Sequence, residues 1–228
     1  MIVQTPAIVL KSFPYGDTSI IARCFSKQQG KISLIIKGAR SKRSQKGVHF
    51  QPLNHVELIY NYHSNRDLQT LSKVSFLGYW TSILTDLKSI TLSMAILDLT
   101  EKTLTHEDPY PNLFSTLIEV LKAFDENESN PKLLFWFYEC ELLKNLGFNP
   151  DLDINQFPGI ILPDIYKGKN TLPILSSLLS GDIKKLPLEP IEKKDSKIIS
   201  DYLWILLKYH CESLNKVKFR SVIKTILA

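Results

Sequence analysis

Between Asn54 and Tyr62, the side chains of Val56, Leu58, Tyr60 and Tyr62 alternate with those of His55, Glu57, Ile59 and Asn61. A period of two marks a strand with one buried face and one wet face. Ala7 to Phe13, Thr18 to Ser26, Lys31 to Lys37 and Leu68 to Phe76 are likewise rich in Ile, Val, Thr, Phe and Tyr, and Pro14, Gly16, Gly30, Gly38 and Asn65 punctuate the series. Five such strands within the first 80 residues predict a small closed barrel over residues 1–79.

After Gly78 the period becomes helical. Ile83, Leu84, Leu87, Ile90, Met94 and Leu97 recur every three or four positions, which predicts an amphipathic helix with these side chains on its buried stripe. Pro111 opens a second helix predicted over 112–124. For the third, Asn130 is the expected N-cap, Pro131 the first helical residue and Gly147 the stop, with Pro150 beyond it. Its run LLFWFYECELLKNL is apolar around most of the circumference, as befits the central buried helix of a second domain. A fourth helix is predicted over 196–213, with Ile198, Tyr202, Ile205, Leu206 and Tyr209 on one face, and a last basic one over 219–227. Residues 150–190 hold six of the twelve prolines and read as an irregular connection with one short helix near Leu172 to Leu179. The fold class is α+β and multidomain, a five-stranded barrel followed by an all-α domain over 80–228.

Among the 228 residues 44% are hydrophobic and 22% charged, a globular composition. No apolar run reaches the ~20 residues of a membrane-spanning helix. The N-terminal MIVQTPAIVLKSF lacks the basic start, long apolar stretch and cleavage site of a secretory signal, so the expectation is a cytoplasmic protein. Charge adds more to the picture. Residues 1–80 carry 11 Lys and Arg against 3 Asp and Glu, whereas residues 81–228 carry 17 against 20. Such asymmetry points to a basic module that meets a polyanion, joined to a nearly neutral one.

From Thr18 to Val56 there is no acid, and the densest basic run, KGARSKRSQKG from Lys37 to Gly47, lies between the third and fourth predicted strands. It is expected to be an exposed loop at the barrel mouth. Cations there displace counterions from a phosphate backbone, while amides and serine hydroxyls donate to phosphate oxygens. Arg23, Lys31, Lys37, Arg40, Lys42, Arg43 and Lys46 are therefore candidate nucleic-acid contacts. Single strands also need aromatic faces for their bases. Phe13, Tyr15, Phe25, Phe50, Tyr60 and Tyr62 are available, but Tyr60 and Tyr62 share the parity of Val56 and Leu58 and belong to the core. Tyr15, in a turn between Pro14 and Gly16, is the candidate platform.

Catalytic patterns are mostly absent. Cys24, Cys140 and Cys211 lie singly in apolar surroundings, so neither a disulfide framework nor a cysteine zinc site is expected. GARSKRS lacks the spacing of a phosphate-binding P-loop. No two of His49, His55, His63, His106 and His210 stand at ligand spacing beside a carboxylate, and His106, Glu107 and Asp108 read as a polar loop before Pro109. Glu139 and Glu141 are two positions apart and face different ways on a helix. No spacing groups these residues into a metal or cofactor site.

The run TPAIVLKSFPYGDTSIIARCFSKQQGKISLIIKGARSKRS resembles the N-terminal OB-fold of the bacterial recombination mediator RecO family. Ala7 to Leu10, the Tyr15 to Asp17 turn, Gly30 and Lys37 to Arg40 carry the likeness. Glu141 to Leu152, ELLKNLGFNPDL, resembles the family's Leu-Gly-Tyr-x-Pro-x-Leu turn, and VKFRSVIKTIL is similar to its basic C-terminal helix. The resemblance implies an OB-fold barrel and a non-enzymatic, nucleoid-associated protein. It also implies binding of single- and double-stranded DNA, annealing of strands coated by single-strand-binding protein, and assistance with RecR in loading RecA. It further implies recognition of the acidic tail of single-strand-binding protein, for which Lys216, Lys218 and Arg220 are candidates, although the same three cations also fit a solvated helix face. Many members carry two zinc-binding cysteine pairs after that turn, whereas Asp151 to Asp164 contains no cysteine. A zinc site is not carried over, and Phe157, Ile160 and Leu162 are expected to anchor the segment by apolar burial. Two other readings fit the residues: a metal-dependent nuclease using the acids of the helical half, and an RNA-binding OB module.

Overall fold

The structure, a computed structural model, describes residues 1–150, 152, 159–216, 223 and 225, without the side chain of Lys216. They divide into two compact units, residues 1–81 with 97–115, and residues 82–96 with the chain from Thr116 onward.

The first unit is built on a closed barrel of β1 (Ile2–Tyr15), β2 (Ser19–Ser26), β3 (Gly30–Ile36), β4 (His55–Asn61) and β5 (Leu68–Gly78), in the order β1-β2-β3-β5-β4. β1 is longer than the sequence pattern indicates because it serves two neighbours. Its first half pairs with β4, from Ile2 opposite Asn61 to Ile8 opposite His55, and its second half with β2, from Ala7 opposite Ser26 to Tyr15 opposite Ser19. A register irregularity between Val9 and Lys11 lies in the β2-facing half, where a bulge bends a strand and lets a small barrel curl. A parallel pairing of β3 with β5, Ser33 to Ile35 against Leu68 to Thr70, completes the circuit. This is the five-stranded barrel and helical succession expected from the sequence.

Every second residue of β3, from Gly30 to Ile36, is buried, and Val56, Leu58 and Tyr60 of β4 point inward as their parity requires. With Val9, Ala22, Cys24 and Phe50 they form the barrel core, and Tyr62 packs against it. Each large aliphatic side chain so buried contributes about 1.5–3 kcal/mol.

Five α-helices follow: α1 (Leu87–Thr103), α2 (Pro111–Asp125), α3 (Pro131–Asn145), α4 (Thr171–Leu179) and α5 (Lys193–His210). α3 begins and ends as its sequence dictates. The Asn130 side chain accepts from the Lys132 amide, and at the far end Gly147 adopts φ +88° while the Phe148 and Gly147 amides donate to Leu143 and Lys144 carbonyls. That closure is a Schellman motif, which a left-handed glycine permits.

α1 departs from the predicted stripe. The Asp86 carboxylate caps the Ser89 amide, so the helix starts at Leu87, and Leu84, Leu87 and Met94 are exposed. The buried arc runs through Ser89, Leu92, Ser93, Ile96, Leu99 and Thr100. Ala95, Glu101 and, from the predicted stripe, Leu97 are buried too, so four of the nine buried side chains are polar, which hides the true face from a count of apolar residues. In the proline-rich segment, Leu162 and Ile165 are buried, Ile160 is half-buried and Ile161 is exposed. Phe157 and most of the predicted last helix lie outside the described residues.

Candidate nucleic-acid interface

The basic loop leaves β3 at Ile36 and returns through a short 3-10 turn, Lys46–Phe50. It is pinned at both ends, by Ala39 and Phe50 buried in the barrel core. Gly38 sits at φ +70°, a conformation that side-chain-bearing residues rarely adopt. From there the loop folds on itself. The Ser41 amide and hydroxyl both donate to the Gly38 carbonyl, at 3.2 and 2.9 Å, and the Ser44 hydroxyl accepts from the Lys46 amide at 3.2 Å. Ser41 thus spends its proton on the loop, while Ser44 keeps its own for donation.

Lys37, Arg40, Lys42, Arg43 and Lys46 are all exposed on this loop. Among the described residues none of the five forms an ion pair with a carboxylate. Arg40 has a second role. Its amide donates to Thr18 O at 2.8 Å and its Nη1 to Gly16 O at 3.1 Å, so the β1–β2 turn is tied to the basic loop. Tyr15, 50% exposed at the end of β1, is thereby held beside that loop.

The remaining two candidate cations are placed differently. Glu101 of α1, within the barrel unit and only 7% exposed, pairs with Arg23 and with Lys11 at 2.9 Å, and its carbonyl accepts from Lys31 Nζ at 2.6 Å. Burial alone pushes the Glu101 carboxyl up, yet hydrogen bonds and charge from Lys11 and Arg23 outweigh it and hold the carboxyl below its usual range. Burial lowers the Lys31 ammonium, opposed by the Glu101 charge. The five loop cations and Tyr15 come together; Arg23 and Lys31 gather around Glu101 instead. Sequence reasoning missed Glu101, whose partner Arg23 is 78 residues away.

Of the other aromatic candidates, Phe25, Phe50 and Tyr60 are fully buried and Phe13 is exposed beside Tyr15. Tyr62 donates to Glu107 at 3.1 Å. The polar stretch after α1 is occupied structurally, since Asp108 accepts from Thr105 and Tyr110. Burial pushes the Cys24 thiol up to about 12 and raises Cys140 and Cys211 as well, which makes all three poor nucleophiles. Among the described residues no three His, Cys, Asp or Glu side chains converge as metal ligands. The segment 151–164 supplies no thiolate or imidazole, a donor set that does not fit structural zinc. Lys218, Arg220 and the Lys216 side chain lie outside the described residues. No helix among the described residues is long and apolar enough to cross a membrane.

Residues 1–80 match the family described as Recombination protein O N terminal, and residues 84–155 the family described as Recombination protein O C terminal. A protein named DNA repair protein RecO from Salinibacter ruber is 32% identical over 152 residues, 67% of this chain and 58% of that protein. Its namesake from Chlorobium limicola is 33% identical over 153 residues, 67% of this chain and 59% of that protein. The one from Christiangramia forsetii is 25% identical over 244 residues, 99% of each chain. The match to the first two thus spans less than two thirds of their length. With both family halves matched in order over a barrel and its following helices, the chain belongs to the recombination protein O (RecO) family.

Proposed function

We propose that this chain is a DNA-binding mediator of DNA repair and recombination, which holds single and double strands and anneals complementary ones without cutting them. The observation that carries the reading is the folded loop with five exposed cations, none paired to a carboxylate among the described residues. Lys37, Arg40, Lys42, Arg43 and Lys46 neutralise phosphates, so two like-charged strands can approach each other. Tyr15 offers a ring to an unpaired base. Arg23 and Lys31 add to this field from the barrel wall, their charge shared with Glu101. In the cell the protein acts with RecR to load RecA, and engages single-strand-binding protein by its acidic tail through Lys216, Lys218 and Arg220. It works in the cytoplasm on the nucleoid.

Annealing of complementary oligonucleotides coated with single-strand-binding protein, with and without its acidic tail, tests the reading. The expected result is tail-dependent annealing that K42E/R43E/K46E abolishes, with labelled DNA left intact in magnesium or manganese. Cleavage of that DNA, or normal annealing by the triple variant, would overturn it. Competition by RNA that matched single-stranded DNA would move the assignment to an RNA-binding module.

A further inference from the structure

We propose that His49, Phe76 and Tyr79 form an aromatic platform on which unpaired bases of a single DNA strand stack, directly continuing the basic loop. The inference rests on the DNA-binding reading above and adds where the bases go. Phe76, near the end of β5, is packed against the barrel core and half-buried. The His49 ring stacks on it, with centroids 4.4 Å apart and planes at 21°, and Tyr79 approaches at 5.0 Å and 38°. Two members of the row are therefore fixed by packing. Tyr79 is 70% exposed and ends it with an open ring.

An exposed ring that continues a half-buried aromatic pair calls for an explanation, because contiguous apolar patches tend to mark binding sites. The neighbouring charge indicates the occupant. His49 belongs to the 3-10 turn that starts at Lys46, and side chains three apart on such a turn eclipse, so Lys46 and His49 share one face. Lys42 and Arg43 precede them in the exposed loop. Cations followed by stacked rings fit a polymer with phosphates on one edge and flat bases on the other, which is single-stranded nucleic acid. A paired duplex keeps its bases from such a surface.

Fluorescence anisotropy with a labelled thymidine oligonucleotide, the same strand carrying abasic positions, and a duplex tests the platform. Tyr79 is exposed, so Tyr79→Ala leaves the fold intact. It is expected to weaken single-strand binding by between about fivefold and about a hundredfold, the worth of one stacked base. The salt dependence should stay unchanged, since no phosphate contact is lost, and duplex affinity should hold. Tyr79→Phe should restore binding and Tyr79→Leu should not. The abasic strand should bind the parent no better than Tyr79→Ala binds the intact strand. Failure of the parent to bind DNA would remove the DNA-binding reading and the platform with it. Binding by the parent that Tyr79→Ala leaves unchanged, or weakens equally on intact and abasic strands, removes the platform alone.

Discussion

Replacing Lys42, Arg43 and Lys46 by Gln removes three of the loop's five positive charges and leaves Arg40, which ties the loop to the Gly16 and Thr18 carbonyls, in place. Each single-strand phosphate neutralised contributes about 0.7 to the slope of log affinity against log salt, so five contacts give about −3.5 and the two remaining give about −1.4. Raising salt from about 50 to about 200 mM should then weaken the parent about a hundredfold and the variant about sevenfold. Anisotropy titrations of a labelled thymidine oligonucleotide at four salt concentrations read both slopes. All three positions are exposed, and such substitutions shift stability by only ~0.5 kcal/mol, so the thermal midpoint is a control for folding. An unchanged slope in the triple variant would refute the loop assignment. A parent slope near about −5 would carry separate information: seven cations reach phosphates, Arg23 and Lys31 included, despite Glu101.

Three further substitutions probe the barrel unit. Glu101→Gln removes a buried negative charge shared by Lys11 and Arg23; because both cations are about 40% exposed and can rehydrate, the loss should be about 2 kcal/mol rather than the 3–5 of a fully buried pair. The Glu101 carboxyl is held below its usual range, so its contribution is complete above that range and disappears as pH falls through the lowered value. Urea melts of parent and Glu101→Gln should therefore differ most near pH 7 and converge as the pH falls below the usual carboxylate range; a constant gap would refute the ion-pair account. Tyr60→Phe deletes a buried hydroxyl that has no partner among the described residues, and should be neutral or stabilising by up to ~1 kcal/mol, whereas a loss of that size would mean that the hydroxyl is satisfied. Gly30→Ala should cost at least ~3 kcal/mol or prevent folding, since Gly30 sits at φ +63° and an added Cβ would lie 1.9 Å from the Asp108 carbonyl oxygen. A thermal midpoint within a few degrees of the parent would show that the 104–110 turn yields easily.

What could be read from the sequence is what neighbouring residues decide among themselves. The parity of Val56, Leu58 and Tyr60 assigns the inward face of β4, and Asn130, Pro131 and Gly147 bound α3, because alternation and capping act within a few positions. The loop from Lys37 to Lys46 was visible for the same reason, as a run of cations with only the small Ala39 to bury. Hidden were the features that folding assembles across the chain. The buried arc of α1 passes through Ser89, Ser93 and Thr100, whose small hydroxyl side chains no apolar count would select. His49 meets Phe76 only once β5 has been laid beside the 3-10 turn. Glu101 bears most directly on function. The excess of cations in residues 1–80 suggests a field spread over the whole barrel, yet a carboxylate from outside that stretch meets Lys11 and Arg23, and its own backbone holds Lys31. On that wall three cations share one carboxylate, and Lys27, Arg66 and Lys73 stand singly elsewhere, whereas the loop gathers five exposed cations with no carboxylate paired to them among the described residues. On the proposed DNA-binding reading, a phosphate backbone, whose affinity for a surface follows its uncompensated charge, meets more of that charge at the loop than on the barrel wall.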